Sequence, residues 1–125
     1  MVVVGAPSGR SEKMMDWLRR RSCDSDVVMS VCTGAFKLGL AGILDAKPAT
    51  THHEYYEDFA KSFPSVRLQK GRRFVQSYAV VATAGGLTSG IDLALHVVER
   101  YFGRAVAQRT ADYMEYEGKS WMRER

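Results

Sequence analysis

Two short apolar runs, at positions 1–4 and 27–31, most constrain what this 125-residue chain can fold into. Both are rich in valine, too short for an ordinary helix, and lack the alternation of a strand with one face in water. Each run therefore predicts a strand buried on both faces, as in a parallel sheet. Each is followed by turn residues and then by a stretch with helical spacing, which predicts an α/β fold.

The rest of the chain continues the same alternation. Ser11 is a good N-cap for a first helix, and Thr88 is a candidate cap for a long late one. Gly103 separates the last two helices, and Pro64 ends an earlier one. Helices are predicted at 12–21, 33–41, 54–63, 89–102 and 105–116, and further strands at 49–51, 66–68, 74–76 and 79–83.

These elements predict a three-layer α/β sandwich with a mostly parallel sheet flanked by helices. The length is that of one domain, so we assign residues 1–125 to a single domain. A doubly wound sheet rarely begins with the strand that precedes its glycine loop. We therefore expect a first strand and helix to be missing from this chain or supplied by a partner.

Cys32 is the strongest candidate for a functional residue. The buried strand at 27–31 runs directly into it, and a helix is predicted to begin immediately afterwards. This order places the thiol at the carboxyl end of the sheet, where α/β proteins bind ligands. The amides of Thr33 and Gly34 could lower the pKa of the thiol or stabilise an oxyanion, as in a nucleophile elbow. The alternative is a cysteine that simply packs in the core.

Three stretches around Cys32 carry a family resemblance: Val-Cys-Thr-Gly-Ala at 31–35, Ala-Gly-Ile-Leu-Asp at 41–45, and Ala-Thr-Thr-His at 49–52. With Gly-Ile-Asp-Leu-Ala-Leu at 90–95, they resemble the ThiJ/PfpI superfamily. The resemblance implies a class I glutamine amidotransferase-like, flavodoxin-like fold. Within the superfamily the chain is most similar to isonitrile hydratases, which share the Cys-Thr-Gly core and a late Glu-Tyr, and to the sensor domains of AraC-type regulators.

The resemblance implies catalytic roles for Cys32 as a thiolate nucleophile and for Thr33 as a proton-transfer partner. It implies an oxyanion or substrate pocket formed by Gly5, Ala6 and Gly34, with His52 at the rim. The expected reaction is hydration of an isonitrile to an N-substituted formamide through a thioimidate on Cys32.

Two departures from the family pattern keep a second interpretation open. The family implies an acidic residue beside the cysteine, from a segment that would precede residue 1, and a non-catalytic sensor or ligand-binding domain is the alternative if that residue is absent. Protease-like members carry histidine directly after the cysteine, where this chain has Thr33. No helix-turn-helix match follows, so a complete AraC-type regulator is not expected.

Other patterns favour structural interpretations. His52, His53 and the acidic residues that follow fit no compact zinc spacing, so no metal and no other cofactor is expected. The net charge is +4 but dispersed, which does not favour nucleic-acid binding. We expect a small-molecule ligand, a homodimer, no membrane association and a cytoplasmic protein. Two cysteines are too few for a disulfide framework and are expected to be reduced thiols.

Overall fold

The computed structural model describes residues 1–6 and 11–122. Its helices are α1 (Glu12–Asp24), α2 (Ala35–Leu40), α3 (Tyr56–Ser62), α4 (Ser89–Phe102) and α5 (Arg104–Tyr113), and its strands are β1 (Val2–Val4), β2 (Val28–Ser30), β3 (Pro48–Ala49), β4 (Arg67–Leu68), β5 (Phe74–Tyr78) and β6 (Val81–Ala84). The elements alternate as the sequence predicts. The predicted loop at 5–9 lies partly outside the described residues.

A four-stranded sheet in the order β1-β2-β6-β5 forms the middle layer. Strands β1, β2 and β6 are parallel, and the register aligns Val2 with Val28 and Val28 with Val81. Strand β5 pairs antiparallel with β6 through a tight turn and contains a register shift between Gln76 and Tyr78. Strands β3 and β4 form a separate two-stranded parallel sheet. The predicted mostly parallel sheet is confirmed.

Hydrophobic clusters cover both faces of the sheet, because successive strand residues point to opposite sides. Val28 and Val81 point to the layer formed by α1, α2 and α3. Met29 and Ala82 point the other way and pack against Leu93 of α4. Helix α5 packs on α4 with Trp121 from the segment that follows it. The result is the three-layer sandwich expected from the sequence.

Several predicted boundaries shift for local physical reasons. The first helix begins after Ser11, whose side chain caps the amide of Met14 as predicted, but it continues to Asp24. The last helix ends at Tyr113, before Glu115 takes a left-handed conformation. The predicted cap at Thr88 is wrong: this residue has helical backbone angles, and its hydroxyl accepts a hydrogen bond from Arg73.

Candidate functional site

Cys32 lies at a sharp turn between β2 and α2. Its φ is +58°, in the left-handed region that residues other than glycine rarely occupy. A short 3-10 turn, Cys32–Gly34, follows and passes into α2. A non-glycine residue held in this region costs about 1–3 kcal/mol, and such residues cluster at functional sites. Because Ala46 and Glu115 share the conformation, the angle supports a site only together with the contacts around it.

Three segments hold the backbone of this turn. The Cys32 amide donates to the carbonyl oxygen of Gly85 (2.8 Å), in the turn after β6. The Cys32 carbonyl accepts from the hydroxyl of Thr51 (3.0 Å), and the neighbouring Val31 amide donates to the Val4 carbonyl (2.9 Å). The ends of three parallel strands and the loop after β3 therefore fix the half-buried Cys32 in its left-handed conformation.

Gly34 brings this turn against the end of β1. A Cβ atom at Gly34 would lie only 2.1 Å from the carbonyl oxygen of Val4 and 2.9 Å from that of Gly5. Its own amide donates to the Val31 carbonyl (3.0 Å), so it serves the 3-10 turn rather than a bound anion. What Gly34 contributes is the close approach that places exposed Gly5 and Ala6 beside the turn.

His52, predicted at the rim of the site, lies beside the turn that follows β6. Its Nδ1 accepts a hydrogen bond from the Glu54 amide (3.2 Å), so Nε2 carries the proton when the ring is neutral. The ring borders Gly86, where a Cβ atom would lie 2.9 Å from the imidazole, and it stacks on His53 with centroids 4.6 Å apart. Its position beside the Gly85-Gly86 turn brings it near the segment that holds Cys32.

Sequence reasoning missed Thr51 and Gly85 as neighbours of Cys32. Thr50 and Thr51 are completely buried although they are polar, and the Thr50 amide donates to the hydroxyl of Thr83 (2.9 Å). A pair of threonines directly after a short strand was the available signal, because buried hydroxyls need partners. Gly85 meets Cys32 because β2 pairs parallel with β6, and the residues around Gly85 carry no sequence signal for that pairing.

A cavity of about 520 Å³ opens beside Thr33 and Ala6. Three aromatic side chains lie in its wall, where Phe36 meets Tyr55 and Phe63 edge to face. Leu40, Asp58 and Ser62 complete the lining. The volume suits a small organic molecule with an apolar group. Thr33 connects the cavity wall to Cys32, the preceding residue.

The remaining candidates add no second reactive centre in the described part of the chain. Cys23 is an exposed free thiol on α1, and Cys32 is also free, which confirms that the two cysteines are not bridged. Among residues 1–6 and 11–122, no three His, Cys, Asp or Glu side chains gather as a metal ion would require. No helix in these ranges has the length and apolarity to cross a membrane.

Known proteins share both the sequence and the fold. The isonitrile hydratase of Pseudomonas putida is 34% identical over 110 residues, covering 88% of this chain and 46% of that protein. The HTH-type transcriptional regulator CdhR of Pseudomonas aeruginosa is 28% identical over 79% of this chain and 29% of its own length. A solved ThiJ/PfpI family protein from Pseudomonas syringae superposes with a TM-score of 0.77 at 24% identity, covering 95% of this chain and 51% of that one.

The chain has the fold of this ThiJ/PfpI family protein. The fold is also that of Drosophila melanogaster DJ-1beta, with a TM-score of 0.73 at 18% identity, covering 93% of this chain and 64% of that structure. No family model matches the sequence. The chain spans about half the length of the isonitrile hydratase and less than a third of the regulator. The flavodoxin-like fold predicted from the ThiJ/PfpI resemblance is confirmed.

The strain at Cys32 predicts an inverted order of stability for two substitutions. Cys32→Gly should be more stable than Cys32→Ala by about 1 kcal/mol. Glycine removes the left-handed conformational penalty of about 1–2 kcal/mol, and the greater flexibility of glycine in the unfolded chain offsets part of that gain. Urea unfolding of both variants measures the difference. An alanine variant at least as stable as the glycine variant would contradict a strained turn.

Proposed function

We propose that this chain is a cysteine-dependent ThiJ/PfpI domain that hydrates isonitriles to N-substituted formamides. The left-handed Cys32 at the end of a buried parallel strand carries the proposal. This geometry presents a thiol at the carboxyl edge of the sheet, where a nucleophile meets its substrate. The similarity to isonitrile hydratase over most of the chain supplies the substrate class.

The proposed reaction uses Cys32 as a covalent nucleophile. The thiolate sulfur forms a bond to the terminal carbon of R–N≡C, and that carbon gains a proton to give the thioimidate R–N=CH–S–Cys32. The Thr33 hydroxyl, on the next residue, relays this proton. Water then adds across the C=N bond, its oxygen bonding to the same carbon and one of its protons going to nitrogen, to give R–NH–CH(OH)–S–Cys32. The C–S bond breaks with its electron pair returning to sulfur, and the hydroxyl proton returns to the Thr33 relay. The products are R–NH–CHO and the thiolate, so the net reaction adds one water.

The cavity beside Thr33 provides a place for the R group. Its wall of Phe36, Tyr55, Phe63 and Leu40 suits an aryl or branched alkyl substituent. Gly5 and Ala6, next to the same turn, would face the polar end of the substrate, and His52 would border it from the side of Gly86. These binding roles belong to the proposal.

Turnover of an aryl isonitrile tests the proposal. The wild-type chain should convert it to the formamide, detected by NMR or chromatography, and Cys32→Ala should lose at least about 100-fold of the activity because the covalent route is removed. Cys23→Ser is the matched control, since this thiol lies exposed on α1. No formamide from the wild type, or equal rates for Cys32→Ala and wild type, would overturn the hydratase.

The second candidate is a sensor domain that binds a small molecule without turnover. The matches to transcriptional regulators from Pseudomonas aeruginosa and Rhizobium meliloti, 26–30% identical, favour it. A sensor would bind the isonitrile or a related apolar ligand saturably, with equal affinity in wild type and Cys32→Ala, and form no product. Calorimetry run beside the turnover assay separates the two functions.

The other sequence-based expectations stay predictions. They are a homodimer, a cytoplasmic location and the absence of nucleic-acid binding. Sedimentation of the wild-type chain across a concentration series tests the homodimer directly.

A further inference from the structure

An ionic cluster built on one buried carboxylate lies next to the turn that accepts the Cys32 amide hydrogen bond. Asp92, in the first turn of α4, is completely buried. Its Oδ2 accepts from Arg73 Nε (2.7 Å), from Arg73 Nη2 and from the hydroxyl of Tyr116 (2.9 Å). Arg73 Nη2 also donates to the hydroxyl of Thr88 (3.2 Å). The cluster joins the residue before β5, the start of α4 and the segment after α5.

Arg73 connects this cluster to Cys32 through two backbone hydrogen bonds. The Gly85 amide donates to the carbonyl oxygen of Arg73 (2.9 Å), and the Gly85 carbonyl accepts from the Cys32 amide (2.8 Å). A Cβ atom at Gly85 would lie 3.6 Å from that Arg73 carbonyl, so the two backbones are in contact. Arg73 is therefore held by its side chain to Asp92 and by its backbone to the turn beneath Cys32.

We infer that the cluster of Arg73, Asp92 and Tyr116 positions Cys32 by fixing the Gly85 carbonyl that holds its amide. The importance of this role for chemistry rests on the proposed function, in which Cys32 is the working thiol. Arg73, Asp92 and Tyr116 are positioning residues, since they act on Cys32 through Gly85.

The interactions in the cluster hold Arg73 firmly in place. Asp92 is buried while the Arg73 side chain is 41% exposed, so removing Arg73 leaves a buried carboxylate without its cationic partner, which is destabilising. Asp92 Oδ1 is buried and accepts no hydrogen bond from the described residues, so Oδ2 alone ties this carboxylate to its neighbours. Hydrogen bonding to Asp92 raises the pKa of Arg73, and burial followed by the Asp92 bond raises the pKa of Tyr116. Both groups keep their donor protons at neutral pH.

Amide hydrogen exchange measures this positioning role directly, because the two bonds that matter are donated by the Gly85 and Cys32 amides. In Arg73→Met these two amides should exchange about tenfold faster or more. In the wild type, opening this turn requires Arg73 to move away from Asp92, and the variant has no such ion pair to break. The Val28 amide, which donates to Val80 across the same sheet, should change less than about threefold. Arg72→Met removes the neighbouring exposed arginine and should leave all three amides at wild-type rates.

Milder variants keep the test decisive if Arg73→Met does not fold. Tyr116→Phe removes one donor to Asp92, and Arg73→Lys keeps the charge but loses the two-nitrogen geometry. Both should raise exchange at Gly85 and Cys32 selectively, with Tyr116→Phe having the smaller effect. In a Cys23→Ser background, alkylation by iodoacetamide reports Cys32 alone and should change rate by at least about threefold in Arg73→Lys.

The outcomes separate this inference from the hydratase proposal. Wild-type exchange at Gly85 and Cys32 in every folded variant, or uniform acceleration of all amides, would overturn the positioning role. Selective acceleration supports it even if the wild-type chain produces no formamide, in which case the hydratase alone is overturned.

Discussion

Gly34→Ala should destabilise the fold by about 3 kcal/mol or more. The added Cβ would lie 2.1 Å from the Val4 carbonyl oxygen, which is fixed in the β1–β2 pairing. Because the obstructing atoms are backbone, no side-chain rotation relieves the overlap, and the turn or the strand must move. Urea unfolding should show a lower midpoint, and Cys32 should become more reactive toward alkylating reagents as its turn loosens.

Gly5→Ala is the matched control for this prediction. Gly5 lies in the adjacent segment, its φ is not left-handed, and a Cβ there would meet no atom of residues 1–6 and 11–122 within 4 Å. Its effect should stay within about 0.5–1 kcal/mol, in the range of an exposed glycine replacement. Equal unfolding midpoints for the two alanine variants would show that β1 and the Cys32 turn are not in close contact.

The second large effect is expected at Trp121, near the carboxyl end. This side chain is completely buried against Leu95, Ala107 and Ala111, and its indole nitrogen donates to the Gly118 carbonyl (2.9 Å). Trp121→Ala should cost about 3–5 kcal/mol, because it leaves a large cavity between α4 and α5. Calorimetry of wild type and variant measures the loss as a lower melting temperature.

Trp17 provides a matched control of the same residue type. It lies on α1 and is 48% exposed, so Trp17→Ala should cost less than about 1 kcal/mol. Similar losses for the two variants would contradict the docking of the final segment on α4 and α5. Fluorescence offers a second readout, because only the buried tryptophan should shift to longer wavelength on unfolding.

The sequence predicted the architecture well because local patterns determine most of it. The valine-rich runs marked the parallel strands β1 and β2, and Ser11 marked the start of α1. Burial on both faces is confirmed for β2 and wrong for β1, because β1 is at the sheet edge and its Val3 is 54% exposed. The antiparallel pairing of β5 with β6 was not predicted, because the residue pattern of a strand does not indicate whether its neighbour runs parallel or antiparallel. The Thr88 side chain makes no capping bond because its backbone is already helical, whereas a capping residue takes extended angles.

The candidate site was predicted less completely than the fold. A turn at Cys32 follows from a strand that runs directly into a helix, and the structure shows that turn. Its supports, Thr51 and Gly85, come from distant segments that only the sheet order brings together. The ion pair of Arg73 with Asp92 was missed for the same reason.

The long sequence separation of these supports has a consequence for biosynthesis. The thiol of Cys32 is translated well before Gly85, Asp92 and Tyr116, which complete its surroundings. At about 5–20 residues per second, the nascent cysteine spends several seconds without the acceptor for its amide. Parallel strands joined over such distances also pair late in folding. The turn at Cys32 can therefore take its final form only after the chain has been made at least as far as Gly85.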